Sequence, residues 1–193
     1  MHPYYETGWS RNLVYPHIGF DEMHFIDYFD QTKILREYIT DQELYDKIIK
    51  RYENRKNNEK LFFMGITMQN HGGYTETYDN FPENYYKVGR SYTDANQYLS
   101  LVHESDEAVK NLISYFSKVD DPVEIIFFGD HQPSLNSNFY PILNGKGLTG
   151  LTEDELEKLY TVPFFIWTNY DTPEETVDIT SLDYLSTMAL ERA

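Results

Sequence analysis

The sequence predicts an α/β fold in which a mostly parallel sheet is flanked by helices on both faces. Two observations lead there. Three short runs are apolar at nearly every position, as strands covered on both faces are. Helical patterns precede and separate them, and alternation of this kind winds a chain into parallel strands with helices packed across them.

The first predicted helix is "TDQELYDKIIKRYENRK", residues 40–56. Thr40 and Glu43 stand at capping-box spacing, and Leu44, Ile48 and Tyr52 recur every four residues. Its closing Arg and Lys residues suit the negative end of the helix dipole. The run "LFFMGITM", residues 61–68, is the first predicted strand. A second helix over about residues 96–118 places Val102, Val109, Leu112, Ile113 and Phe116 on one side and acidic or polar residues on the other. "VEIIFFG", residues 123–129, follows as a strand, being too short for a typical helix. Thr152 and Glu155 repeat the capping-box spacing before "LEKLY", "VPFFIW" at residues 162–167 is the third strand, and Thr180 starts a final helix. The chain opens on "MHPYYETGW" without a strand and closes on "LSTMALERA" inside a helical pattern. Residues 1–193 are therefore expected to be part of one larger domain, incomplete at its N-terminus.

Composition narrows the function. With 40% hydrophobic and 17% aromatic residues the chain is globular. Asp and Glu number 32 against 16 Lys and Arg, a net charge of -16, which argues against nucleic acid and against docking on an anionic membrane through basic patches. An anionic substrate in that field needs a cation or a well-placed Arg. The absence of Cys excludes disulfides, iron–sulfur clusters and thiolate chemistry. No apolar stretch approaches the length of a membrane span.

Three stretches carry candidate chemistry. In "VEIIFFGDHQPSL", Gly129 ends a strand, so Asp130 and His131 fall at the carboxyl end, where open α/β sheets bind ligands. The plain alternative is a turn-capping Asp beside an ordinary loop His. His71 lies just past the run at 61–68, followed by Gly72 and Gly73, which allow a tight turn and close approach to a ligand. The opening stretch, "HPYYETGWSRNLVYPHIGFDEM", holds His2, Trp9 and Arg11. Arg11 offers a planar fork of donors to phosphate or sulfate oxygens, and Trp9 a flat face for a carbon skeleton; as alternatives, Trp9 is core and Arg11 part of a surface ion pair.

The order and separation of "HPYYETGWSRNLVYPHIGFDE", "FFMGITMQNHGGY" and "IIFFGDHQPSL" resemble the extracellular catalytic domain of lipoteichoic acid synthases, phosphoglycerol transferases of the sulfatase and alkaline phosphatase superfamily. The resemblance spans nearly the whole chain and implies that residues 1–193 are the C-terminal portion of a single sulfatase-like catalytic domain. It implies Asp130 and His131 as ligands of a divalent cation, Mn in the synthases, with Mg or Zn possible in relatives. Arg11, His71, Trp9 and His2 would line a glycerophosphate pocket, with Arg11 and His71 acting in catalysis. The implied activity of the intact parent is metal-dependent transfer of glycerophosphate from phosphatidylglycerol to a cell-envelope glycopolymer, at the extracellular face of a bacterial membrane to which the parent is anchored.

A sulfatase, a phosphodiesterase or a phosphoethanolamine transferase on the same scaffold is the near alternative, and a non-catalytic module binding anionic envelope polymers is the distant one. No Thr of this chain matches the family's nucleophile, so little turnover is expected of it alone. "NHGGY" stands where the synthases carry His-Tyr-Pro-Phe, so the substrate wall differs. His17, His24 and His103 match no family role and are expected to be structural or exposed.

Overall fold

The computed structural model describes residues 1–81, 83 and 92–192. The chain divides into two compact units, Met1–Leu112 with Ser134–Gly147, and Ile113–Pro133 with Leu148–Ala193.

In the first unit, a turn at Gly8–Ser10 leads into helix α1, Arg11–Ile18, which ends at Gly19 in the left-handed conformation. A two-residue hairpin follows, β1 at Ile34–Leu35 pairing antiparallel with β2 at Tyr38–Ile39. Helix α2, Asp41–Glu53, starts where expected: the Thr40 side chain accepts a hydrogen bond from the Glu43 backbone N at 3.2 Å. Only half of the capping box forms, because the Glu43 carboxylate is drawn to the Asp30 backbone N at 2.9 Å and to Lys47 at 3.3 Å. Leu44 and Ile48 are buried, as the four-residue recurrence predicts.

Helix α3 runs Thr93–Phe116 and buries Leu101, Ala108, Val109, Leu112 and Phe116. Val102, placed on the apolar side from sequence, is instead 38% exposed, because Leu101 occupies the core-facing position next to it. Leu101 joins Tyr74 and Phe81 in a buried cluster, with Leu35, Tyr98 and Leu135 packed against it. The short helix α4, Tyr140–Asn144, completes this unit.

Residues 61–68 form no ladder. They run extended beside the N-terminus, with the Met1 amino group donating to Met64 O at 2.7 Å and the Ile66 N donating to Met1 O at 3.0 Å. A neighbour of one or two residues supplies isolated bonds rather than a strand's repeat, and Phe62 is left 79% exposed.

The second unit is built on β3, Glu124–Phe128, and β4, Phe164–Thr168. Both pairs of described strands are antiparallel, which corrects the expectation of a mostly parallel sheet. Parallel neighbours need a crossover long enough to carry the chain back along the sheet. The helices between β3 and β4, α4 and α5 (Glu153–Glu157), have five residues each, a rise of about 7.5 Å apiece. The pair is held by stacked Phe127 and Phe165 rings, 5.2 Å apart. Asn169 ties its end: Oδ1 accepts from Val123 N at 2.7 Å while Nδ2 donates to Val119 O and Asp121 O. The strands are not covered on both faces: β4 is half-buried along its length, and β3 leaves Ile126 38% and Phe128 43% exposed. At Thr152 the capping box is complete, with the Thr152 N donating to Glu155 Oε2 at 2.8 Å and the Glu155 N to Thr152 Oγ1 at 3.3 Å. Helix α6, Leu182–Leu190, starts one residue after the expected Thr180 cap, with Ser181 in that role.

Candidate active site

His2 is fixed from both sides. Its backbone N donates to His24 O at 2.9 Å, and its ring Nδ1 lies 3.0 Å from the Ile66 carbonyl. A carbonyl only accepts, so Nδ1 carries the proton and Nε2 is left with a lone pair. That Nε2 is buried and has no hydrogen-bond partner among the described residues. Burial, aided by the nearby charge of Arg11, lowers the pKa of His2 to about 4, although the Ile66 bond works against the shift. The ring is neutral at pH 7.

The turn after His2 places the other groups. Trp9 and Ser10 both adopt left-handed backbone conformations, φ 52° and 54°, which cost a non-glycine residue roughly 1–2 kcal/mol each. Strain of this kind persists where the surroundings over-determine it and gathers at functional sites. The Trp9 ring stands edge-on to His2 at 6.0 Å and to His71 at 6.1 Å. Arg11 opens α1 directly after the strained pair, its Cζ 4.5 Å over the Trp9 ring. Its Nε donates to Tyr15 Oη at 2.8 Å and one terminal nitrogen reaches Gly8 O at 3.4 Å. No carboxylate neutralises it among the described residues, so the guanidinium is held in place yet keeps donors to spare.

His71 turns back on the extended segment through its backbone N, which donates to Met68 O at 2.9 Å. Its Nδ1 lies 2.8 Å from Gly72 O and 3.3 Å from Tyr38 Oη. The carbonyl bond assigns the proton to Nδ1 and leaves Nε2 as the basic atom. His2, Trp9, Arg11 and His71 are thus gathered in the first unit.

Three further residues of this site went unread in the sequence. Tyr4 and Tyr38 lie 6.3 Å apart, and Tyr38 packs 5.6 Å from His71. Arg36 is buried in the hairpin turn and uses both terminal nitrogens on the loop that carries His71. It donates to Gln69 O at 3.0 Å, His71 O at 2.6 Å and Gly73 O at 2.9 Å, and to Gln97 Oε1 at 3.0 Å. Desolvation lowers its pKa from the ordinary value, and the rings of Tyr38, Tyr74 and Tyr78 lie 5.4 to 5.9 Å from its Cζ. An Arg between two apolar pairs, "ILREYI", reads as a solvent-facing turn residue, so sequence alone gives no signal.

Asp130 and His131 belong to the second unit, directly past β3. Gly129 makes the last ladder bond, its N donating to Pro163 O at 3.1 Å, and a Cβ there would sit 3.0 Å from Val162 Cβ. The His131 backbone N donates to Asp130 Oδ1 at 2.8 Å, which leaves Oδ2 available. His131 Nδ1 bonds to Gln132 O at 2.9 Å, which leaves Nε2 as a ligand atom. Gln132 is tied in turn to Thr161 O. Asp130 Oδ2 and His131 Nε2 are 3.5 Å apart, and the two side chains are 86% and 76% exposed. Two ligands each about 2.1 Å from one tetrahedral cation stand about 3.4 Å apart. The pair therefore fits a shared divalent ion in donor type and in separation. Among the described residues no group of three or more His, Asp or Glu is gathered to hold a metal ion.

The other histidines do not join either set. His17 is exposed on α1, His24 stacks on Tyr28 at 4.0 Å and bonds Glu22 at 3.1 Å, and His103 lies within α3.

The sulfatase family model matches residues 1–192, and the chain belongs to the sulfatase family. Its fold is that of the phosphoglycerol transferases. The Streptococcus pyogenes phosphoglycerol transferase GacH, solved in complex with sn-glycerol-1-phosphate, superposes with a TM-score of 0.76 at 21% identity, over 100% of this chain and 48% of that one. The lipoteichoic acid synthase LtaP from Listeria monocytogenes gives 0.67 at 22% identity, over 84% of this chain and 41% of that one. The capsular polysaccharide biosynthesis protein RkpI of Rhizobium meliloti (strain 1021) is 33% identical over 139 residues, covering 71% of this chain. The chain spans 24% of the length of RkpI. Among the described residues no helix is long and apolar enough to cross a membrane.

Proposed function

We propose that this chain supplies the head-group pocket and two metal ligands of a phosphoglycerol transferase, which moves glycerophosphate from an anionic phospholipid to a cell-envelope glycopolymer outside the membrane. One observation carries the reading. An unpaired guanidinium, two imidazoles with free Nε2 atoms and an indole meet in the first unit, where an anion attached to a short polyol would find complementary groups. The sn-glycerol-1-phosphate of GacH is a ligand of that description.

Arg11 binds the phosphoryl oxygens and offsets the charge that grows on them in the transition state. His2, held neutral by burial, accepts a hydrogen bond at Nε2 from a glycerol hydroxyl. Trp9 covers the carbon skeleton and excludes water from that side. His71 Nε2 passes a proton to or from the exchanging alcohol. Asp130 Oδ2 and His131 Nε2 would hold a divalent cation, Mn by family likeness with Mg or Zn as alternatives, and such an ion would supply Lewis acidity and positive charge. No Thr of this chain is assigned the nucleophile, so the chain is expected to bind without appreciable turnover.

Calorimetric titration with sn-glycerol-1-phosphate, with and without Mn, is the test. Binding should weaken roughly 10- to 100-fold in Arg11→Ala, the loss of charge-assisted hydrogen bonds. Asp130→Ala should abolish Mn binding. Glycerol phosphate binding that ignores Arg11→Ala would sink the proposal.

A further inference from the structure

Within the first unit a concavity of about 310 Å³ opens beside the His71 loop. Its volume falls at the lower end of ligand pockets, roughly 300–1,000 Å³. The walls come from residues 73–75, 92–94 and 134–138. Its position is set by Arg36, whose guanidinium holds Gly73 O on the cleft wall at 2.9 Å and His71 O at 2.6 Å. The cleft and the imidazole are pinned by one group.

The lining chemistry differs from that of the head-group pocket. Asp94 is the one charged lining residue among those described, and it pairs with no Lys or Arg there; its Oδ2 accepts from the Asn136 backbone N at 2.5 Å. A carboxylate without a counter-cation repels phosphate. The side chains of Thr75, Ser134 and Asn138 line the same space and make no hydrogen bond to the described residues, so hydroxyls and an amide are left to offer both donors and acceptors. Tyr74, whose hydroxyl donates to Asn70 O at 2.7 Å, and Tyr92, packed 5.8 Å from Phe139, add aromatic surface. A ligand with many hydroxyls, apolar ring faces and no charge satisfies this set; an anion does not.

We infer that this cleft is a subsite for an uncharged sugar unit of the acceptor polymer. The inference rests on the transferase reading above for its biological meaning, though the cleft's ligand class is argued from its own lining. An acceptor seated there would present its hydroxyl from the loop that carries His71.

The experiment titrates the 193-residue chain with cellobiose and with sophorose, two neutral disaccharides, by saturation-transfer NMR and calorimetry, with sn-glycerol-1-phosphate run in parallel. Asn138→Trp fills the cleft from an exposed position; its thermal melt and its glycerol phosphate binding report whether it is folded. The expected result is disaccharide binding weakened about tenfold or more, a shift of about 1.4 kcal/mol, in Asn138→Trp, with glycerol phosphate binding retained. No disaccharide binding, or binding indifferent to Asn138→Trp, overturns the subsite. If glycerol phosphate binds in those cases, the transferase reading survives the loss. Disaccharide binding that depends on Asn138 in a chain that ignores glycerol phosphate upholds the sugar site and removes the transferase reading.

Discussion

Arg11 is suited to an anion because none of the described residues gives it a carboxylate partner. Tyr15 Oη and Gly8 O fix the guanidinium without neutralising it, and the Trp9 face lies under its Cζ. Three separate features of arginine are in use: a planar fork, a stacking surface and a permanent charge. Lysine keeps only the last. Arg11→Lys is therefore expected to recover little of the glycerol phosphate affinity lost in Arg11→Ala, staying about tenfold or more weaker than the parent by calorimetry. Recovery to within twofold would mean that charge alone matters at this position. Arg11 was legible because "GWSR" joins an aromatic and a cation in a strongly acidic chain. The left-handed Trp9 and Ser10 that aim it were not, since neither residue type favours that conformation.

At the scale of elements, the hairpin of β1 and β2 positions a loop that it does not contain. Through Arg36 it clamps the backbone of residues 69–73 with charge-assisted bonds to three carbonyls. An ammonium group has three donors on a single nitrogen and cannot span that spread of acceptors. Arg36→Lys should leave at least one buried carbonyl unpaired, costing about 1–3 kcal/mol, and should free the His71 ring. We expect a lower thermal midpoint, weaker glycerol phosphate binding and nitrogen-15 shifts of His71 that move from one tautomer towards a mixture. An unchanged His71 spectrum in a destabilised variant would reduce Arg36 to a structural role. Helices were the more legible elements, because caps at Thr40 and Thr152 and the recurrence of Leu44 and Ile48 are local signals. Strand pairing was not legible: direction depends on what bridges two apolar runs, and α4, five residues long with no side-chain cap, leaves little pattern in the sequence. The Asp130–His131 pair could be read because a strand end marks itself by Gly129, whereas Arg36 acts across 37 residues to Gly73 with no local mark.

For the molecule as a whole, two buried groups set opposing dependences of stability on pH. Asp41, buried beneath Ser105 Oγ at 2.5 Å with its Oδ1 unpartnered, has its pKa raised by desolvation from 3.8 to about 6. A raised carboxyl contributes stability that is present below its unfolded value and lost as pH rises through the folded one, a change of roughly 3 kcal/mol between pH 4 and 6. His2 has the opposite sign. Its pKa falls from 6.5 to about 4, so its contribution is full above the unfolded value and lost as pH falls through the folded one. Over the same window the two contributions offset each other, and the parent's stability should vary less than either group alone would impose. Acidification also reduces the net charge of -16 and its self-repulsion, which acts in the same direction as Asp41. Denaturant melts of Asp41→Asn should therefore show stability rising from pH 4 to 6.5, with a gain over the parent near pH 7. His2→Gln should show stability falling as pH rises from 4 to 6. Parallel curves for the parent and both variants would mean that neither buried group is titrating with folding.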